Sequence, residues 1–223
     1  MERSASKPYL NAMIVLGTLW GLSEAALGMG LRSCAAAVSG SLMTGAALFF
    51  LAAGWTLSKR VAGVAVMVLV AALFKMSDAF LLSLPLNHGA IGNPIFAFVM
   101  EAAAFVVLVS ILKEKTSSKP SGQALLGGLS AVLAANLFPL VKYATGVPAC
   151  VAAGTGVPLS LYYIHFAVLA SMVTVPLGVW TGSRFAILEA RLAQVWAERR
   201  LRLILAPAAL VIGLAILAVL RLA

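Results

Sequence analysis

The chain has 223 residues, is 62% hydrophobic and only 10% charged, and carries a net charge of +9. A soluble domain is typically about 45–50% apolar, so this composition excludes an ordinary soluble globular protein. Apolar stretches of about 20 residues recur along the chain, which is the length a helix needs to cross roughly 30 Å of hydrocarbon. We therefore predict an all-α, polytopic integral membrane bundle.

The apolar stretches are separated by short breaks rich in charged, glycine or asparagine residues, and they predict about seven transmembrane helices. The predicted spans are 9–30, 36–57, 61–86, 94–112, 123–145, 158–181 and 202–221. They divide the chain into a six-helix membrane-embedded bundle (1–181), a linking segment (182–201) and a seventh transmembrane helix (202–223).

The basic residues orient these spans. With the N-terminus inside, twelve of the sixteen lysines and arginines fall in inner segments, among them Lys59, Arg60 and Lys113. This asymmetry is the positive-inside rule and predicts a cytoplasmic N-terminus in a multi-pass protein of a bacterial or archaeal inner membrane. The positive charge thus indicates topology and contact with the lipid bilayer, and we expect no nucleic-acid partner.

The linking segment has its own pattern. Phe185, Leu188 and Leu192 recur at helical spacing opposite Arg184 and Arg191. That arrangement predicts an amphipathic helix lying on the cytoplasmic surface. Its function is either to anchor the chain on anionic lipid or to contact a coupling subunit.

Ionisable residues inside the apolar spans are the main functional signal. Such groups are costly in hydrocarbon and usually face the bundle interior along a ligand or ion path. With the helices oriented as above, the polar groups fall between the outer surface and the midplane, whereas the inner half is apolar. We expect an outward-facing polar pocket that binds a small polar solute. Its predicted substrate-binding residues are Glu24, Lys75, Asp78, Asn93, Glu101, Asn136, Lys142, Tyr162 and His165.

Local signals are consistent with a pocket at that level. Asn93-Pro94 predicts a helix start with Asn93 as N-cap, and Val157-Pro158 repeats the arrangement. The loop from Gly146 to Val157 is uncharged and long enough to fold over a pocket as a lid, and Pro139 should bend the fifth span.

Structural alternatives exist for each polar group. Lys75 and Asp78 are three residues apart on one helix and neutralise one another in the simplest interpretation. Glu24 and Glu101 serve either the pocket or helix packing. His165 with Tyr162, also three apart, is either part of the site or a buried hydrogen-bonded pair.

Metal binding and catalysis have weak support in the sequence. Glu24, Asp78, Glu101 and His165 are candidate ligands for a divalent ion, but two lysines share their layer, which favours a polar organic molecule. The chain has no glycine-rich phosphate loop and no paired nucleophile and base. We predict neither an enzyme nor a cofactor.

The first span carries small residues every four positions, at Gly17, Gly21 and Ala25. Such a stripe permits close helix approach, within the bundle or toward another membrane protein. With the outer pocket and the missing ATPase motif, the chain resembles the substrate-binding S component of energy-coupling factor (ECF) vitamin transporters over residues 9–181. The resemblance implies a bound vitamin, precursor or similar nutrient and partnership with a membrane coupling subunit and two ATPases.

Two other functions stay open: a proton- or ion-coupled secondary transporter that uses the intramembrane carboxylates, and a membrane-embedded enzyme or accessory subunit of a larger complex. The two cysteines, Cys34 and Cys150, both fall on the outer side. They are either bridged there by a disulfide or behave as small apolar residues.

Overall fold

The structure, a computed structural model, describes residues 7–30, 36–117, 119–195 and 199–222. In this part of the chain, helices account for almost everything outside three loops, which confirms the prediction of an all-α bundle. The helices are α1 (Lys7–Gly30), α2 (Ala36–Ser58), α3 (Val61–Leu81), α4 (Gly89–Ser117), α5 (Pro120–Leu137), α6 (Val141–Thr145), α7 (Leu159–Tyr162), α8 (Ile164–Val195) and α9 (Arg199–Leu222).

Seven stretches of the described residues are long and apolar enough to cross a membrane. They lie on α1, α2, α3, α4, α5 with α6, α8 and α9, in the order that the sequence predicts. Pro139 interrupts the fifth span as expected, because a 3-10 turn at Phe138–Leu140 separates α5 from α6. The chain is therefore a multi-pass membrane protein by length and composition of its helices.

The bundle is held together by close helix contacts at small residues. α8 packs along both α2 and α5. A side chain at Gly127 would collide with the carbonyl oxygen of Ser171, and one at Gly178 would collide with the carbonyl oxygen of Phe49. Without a strong hydrophobic driving force between helices in lipid, such backbone approach is what lets van der Waals contacts stabilise the bundle.

The small-residue stripe of α1 is used inside the chain. A side chain at Gly17 would collide with Val70 of α3, and one at Gly21 with Phe74 of the same helix. Ala25 is buried. α9 packs on α1 as well, where Gly213 lies against Thr18 and Phe74. Of the two interpretations of this stripe, internal packing is the one the structure supports.

The two ends of the bundle differ in character. Residues 82–88 and 146–158 lie at the same end of the bundle, because Val147 packs against Gly89 at the start of α4. We call this end the loop end. At the opposite end, which we call the basic end, Arg60 lies 5.4 Å from the centroid of Tyr9 and Arg184 lies 5.5 Å from that of Trp180. Aromatic and basic side chains in this arrangement are typical of a membrane interface.

The segment 182–201 does not form a helix of its own, because its first part belongs to α8 and its last residues, from Arg199, begin α9. α8 continues without a break from Ile164 to Val195, so the first part of the predicted interfacial helix is the end of a transmembrane helix. Residues 196–198 lie outside the described part of the chain. A position on the cytoplasmic surface stays a prediction.

Labelling from outside the cell tests the predicted orientation. Cys150 is exposed at the loop end and Ser183 is exposed near the basic end. In a Cys34→Ala variant, Cys150 should react with a membrane-impermeant thiol reagent in intact cells. A cysteine at position 183, with both native cysteines replaced by alanine, should react only after the membrane is permeabilised. The opposite pattern would place the N-terminus outside.

Candidate functional site

A cavity of about 450 Å³ opens at the loop end between α1, α2, α4, α5 and α8. This volume lies in the range of about 300–1,000 Å³ that is usual for small-molecule sites. Its walls are mostly apolar, and the aromatic members are Phe98, Phe138 and Tyr163. The cavity occupies the half of the bundle where the sequence predicts a pocket.

Two carboxylic acids reach the cavity from different helices. Glu24 of α1 and Glu101 of α4 both line it, and only 6% and 5% of their surfaces are exposed. The two groups are close enough to interact electrostatically, and the Thr44 hydroxyl on α2 lies within hydrogen-bonding reach of Glu101. Glu101 stands twelve residues into α4, roughly 18 Å from its first residue at 1.5 Å per residue. The acids therefore lie at the deep end of the cavity.

Asn93 also lines the cavity, but the prediction that it caps α4 is wrong. The helix begins four residues earlier, at Gly89, and contains Pro94 in its second turn. His88 caps it instead, because the Ala90 N–H donates to its Nδ1 at 3.2 Å. The Asn93 Oδ1 atom is buried and accepts no hydrogen bond from the described residues. This acceptor is thus left for a ligand or water.

Two serine hydroxyls of the lining serve the fold. Ser41 Oγ donates to the carbonyl of Tyr163 at 3.2 Å and so ties α2 to the start of α8. Ser160 Oγ donates to the carbonyl of Ala135 at 3.1 Å and ties α7 to α5. Because each hydroxyl has one proton, neither serine has a donor left for a molecule in the cavity.

The loop from Gly146 to Val157 folds against itself above this cavity. An isolated antiparallel bridge joins Val151 and Pro158, and the Leu159 N–H donates to the Cys150 carbonyl at 2.8 Å. Gly146 has a φ of 75°, which ends α6 with the left-handed conformation that glycine favours. Cys150 lines the mouth of the cavity. Cys34 lies outside the described residues, so the disulfide stays a prediction.

Lys75 and Asp78 do not line the cavity. Asp78 is 1% exposed and holds Arg221 of α9 in a two-point ion pair, with Nε to Oδ1 at 2.6 Å and Nη2 to Oδ2 at 2.7 Å. Lys75 lies 3.5 Å from Asp78 Oδ2. The alternative that these residues neutralise one another is therefore supported, with Arg221 as the stronger partner. We call Lys75, Asp78 and Arg221 the ion cluster.

Four further predicted site residues face away from the cavity. The Asn136 amide donates to the Val132 carbonyl of its own helix at 2.8 Å. Lys142 lies 4.8 Å from the centroid of Tyr143. Tyr162 and His165 are exposed on the surface of the bundle, and the His165 ring stacks 4.2 Å from Phe166 instead of bonding Tyr162. None of these four residues is among those that line the cavity, so their assignment to the pocket is not supported.

The predicted metal site does not assemble. Among the described residues, which include Glu24, Asp78, Glu101 and His165, no group of three or more potential ligands could hold an ion. Asp78 is turned toward Arg221, and His165 lies on the outer surface. Only the two glutamates of the proposed ligand set share the cavity.

Sequence reasoning missed several members of the site. Thr44, Phe98 and Tyr163 line the cavity, and Arg221 completes the ion cluster. The predicted spans gave no signal for this pair, because they place Arg221 at the end of the seventh span and Asp78 eight residues inside the third. Comparisons with models of known protein families, with curated proteins and with solved structures found no match to this chain.

Proposed function

We propose that the chain is the solute-binding subunit of an uptake system and holds a small molecule in the cavity at the loop end. One observation carries this proposal: a cavity of about 450 Å³ places two buried carboxyl groups in a single apolar compartment. Buried ionisable groups in a membrane bundle usually mark a solute path. The predicted topology would open the compartment to the outside.

The resemblance to ECF S components implies that separate ATPase subunits drive uptake. The chain itself carries no glycine-rich phosphate loop. Gly17 and Gly21 are already packed against α3. A coupling subunit would therefore dock on another face of the bundle.

Blocking the cavity tests the proposal. Ala97→Trp places a large side chain in the lining of α4, while Ala103→Trp on the same helix is exposed and serves as the matched control. Small molecules extracted from protein purified out of its native membrane should be retained by the wild type and the control, and lost from Ala97→Trp. If all three proteins retain the same molecules, or none retains any, the cavity is not the binding site.

A proton-coupled carrier is the second candidate, and the presence of two buried acids, Glu24 and Glu101, in one cavity favours it. Two neighbouring acids can exchange a proton for a solute without an ATPase. Co-purification of two ATPases with the chain from its native host would favour the first candidate. Accumulation of solute by liposomes that contain this chain alone, driven by a proton gradient, would favour the second.

A further inference from the structure

We infer that the ligand of this cavity is a small organic monocation, an alkylammonium or quaternary ammonium group attached to an apolar body. This inference rests on the proposed function and specifies its solute class. The sequence alone predicts two lysines in the pocket and a polar organic solute of unspecified charge. The structure instead favours a positively charged solute.

The polar groups that face the cavity are mainly hydrogen-bond acceptors. The acceptors are the carboxyl groups of Glu24 and Glu101 and the unpartnered Oδ1 of Asn93, and the Thr44 hydroxyl bonds Glu101. The neutral donors that remain are the Asn93 amide nitrogen and the Tyr163 hydroxyl. The hydroxyls of Ser41 and Ser160 donate to backbone carbonyls instead. Within the described lining there is no lysine, arginine or histidine. Such a surface favours a ligand that brings both donors and positive charge.

The number of charges indicates a single positive charge on the ligand. In the ion cluster Lys75 and Arg221 contribute two positive charges and Asp78 one negative charge. With the one negative charge of Glu24, these four groups carry no net charge when all of them are ionised. Glu101 is then left without a counterion among the described residues. A carboxylate buried without a counterion is costly and otherwise takes up a proton, so a cation beside Glu101 would stabilise its charged form.

The apolar and aromatic side chains of the lining favour a cation that carries an apolar group. Phe98 and Phe138 project from α4 and from the turn after α5, and Tyr163 stands opposite at the start of α8. Aromatic faces attract ammonium groups by about 0.5–2 kcal/mol, more when water is excluded. Met43 and Met100 complete a flexible apolar wall. A strongly hydrated inorganic ion would gain little from these groups.

Three indole compounds that differ only in the end group provide the test: tryptamine, indole-3-ethanol and indole-3-acetate. Binding to the full chain in lipid nanodiscs is measured by calorimetry at neutral pH. We expect tryptamine to bind at least about ten-fold more tightly than the alcohol, a difference of about 1.4 kcal/mol, and the carboxylate to show no binding. Ala97→Trp should abolish tryptamine binding, and Ala103→Trp should preserve it.

Equal affinity for the amine and the alcohol, tighter binding of the carboxylate, or no binding of any of the three would overturn the monocation inference. The proposed function is judged separately, by the molecules that the native protein retains. If Ala97→Trp loses a retained neutral or anionic molecule, the solute-binding function stands and only the charge is wrong. If tryptamine binds Ala97→Trp as well as the wild type, its site lies elsewhere and the inference fails.

Discussion

Replacing Asp78 with leucine is expected to destabilise the folded bundle by about 3–5 kcal/mol. The carboxylate is 1% exposed and makes two short hydrogen bonds to an Arg221 side chain that is itself only 5% exposed. Removing one partner of a buried pair leaves the other charge buried without compensation. The loss should be largest at the contact of α9 with α1 and α3, because this pair joins α9 to the bundle.

The double variant Asp78→Leu/Arg221→Leu distinguishes pairing from other roles. Replacing a buried ion pair by apolar residues is often neutral or stabilising, so the double variant should be more stable than Asp78→Leu alone. The free energies of unfolding of the wild type, Asp78→Leu, Arg221→Leu and the double variant are measured in mixed micelles. Together they give the coupling energy between Asp78 and Arg221. A coupling energy near zero would show that Arg221 and Asp78 do not stabilise one another.

Glu101→Gln is expected to weaken tryptamine binding by about ten-fold to a hundred-fold, with little change in stability. A hydrogen bond to a charged group is worth about 1.5–3 kcal/mol, and glutamine preserves the size of the side chain while removing the charge. Glu24→Gln should weaken binding less, because Lys75 already offsets part of the Glu24 charge. The measurement is calorimetric titration of each variant in nanodiscs.

Two hydroxyl residues outside the cavity are matched controls for the acids. Ser110 is exposed on α4 and bonds the Val106 carbonyl, and Thr56 on α2 bonds the Ala52 carbonyl of its own helix. Ser110→Ala and Thr56→Ser should leave affinity within about two-fold, since surface changes are usually worth less than about 0.5 kcal/mol. If the acids and the controls lose folding and binding together, Glu24 and Glu101 serve helix packing.

The sequence by itself determined the class of the molecule and the positions of its membrane spans. A span is a local property, since about 20 consecutive apolar residues suffice to cross the hydrocarbon, and the seven predicted spans correspond to the seven candidates in the structure. Depth along a helix is equally local at 1.5 Å per residue. For that reason Glu24, Asn93 and Glu101 could be placed at the level of the cavity that they line.

Only the tertiary structure decided which way each polar side chain points. A helix of a soluble protein has an apolar stripe that marks its buried face. These helices are apolar on nearly all sides, so the sequence does not indicate which face of each helix is buried. Asn136, Lys142, Tyr162 and His165 are exposed and do not line the cavity. Asp78 turns toward α9, because Arg221, 143 residues away along the chain, supplies the positive charge that makes the burial of this carboxylate tolerable.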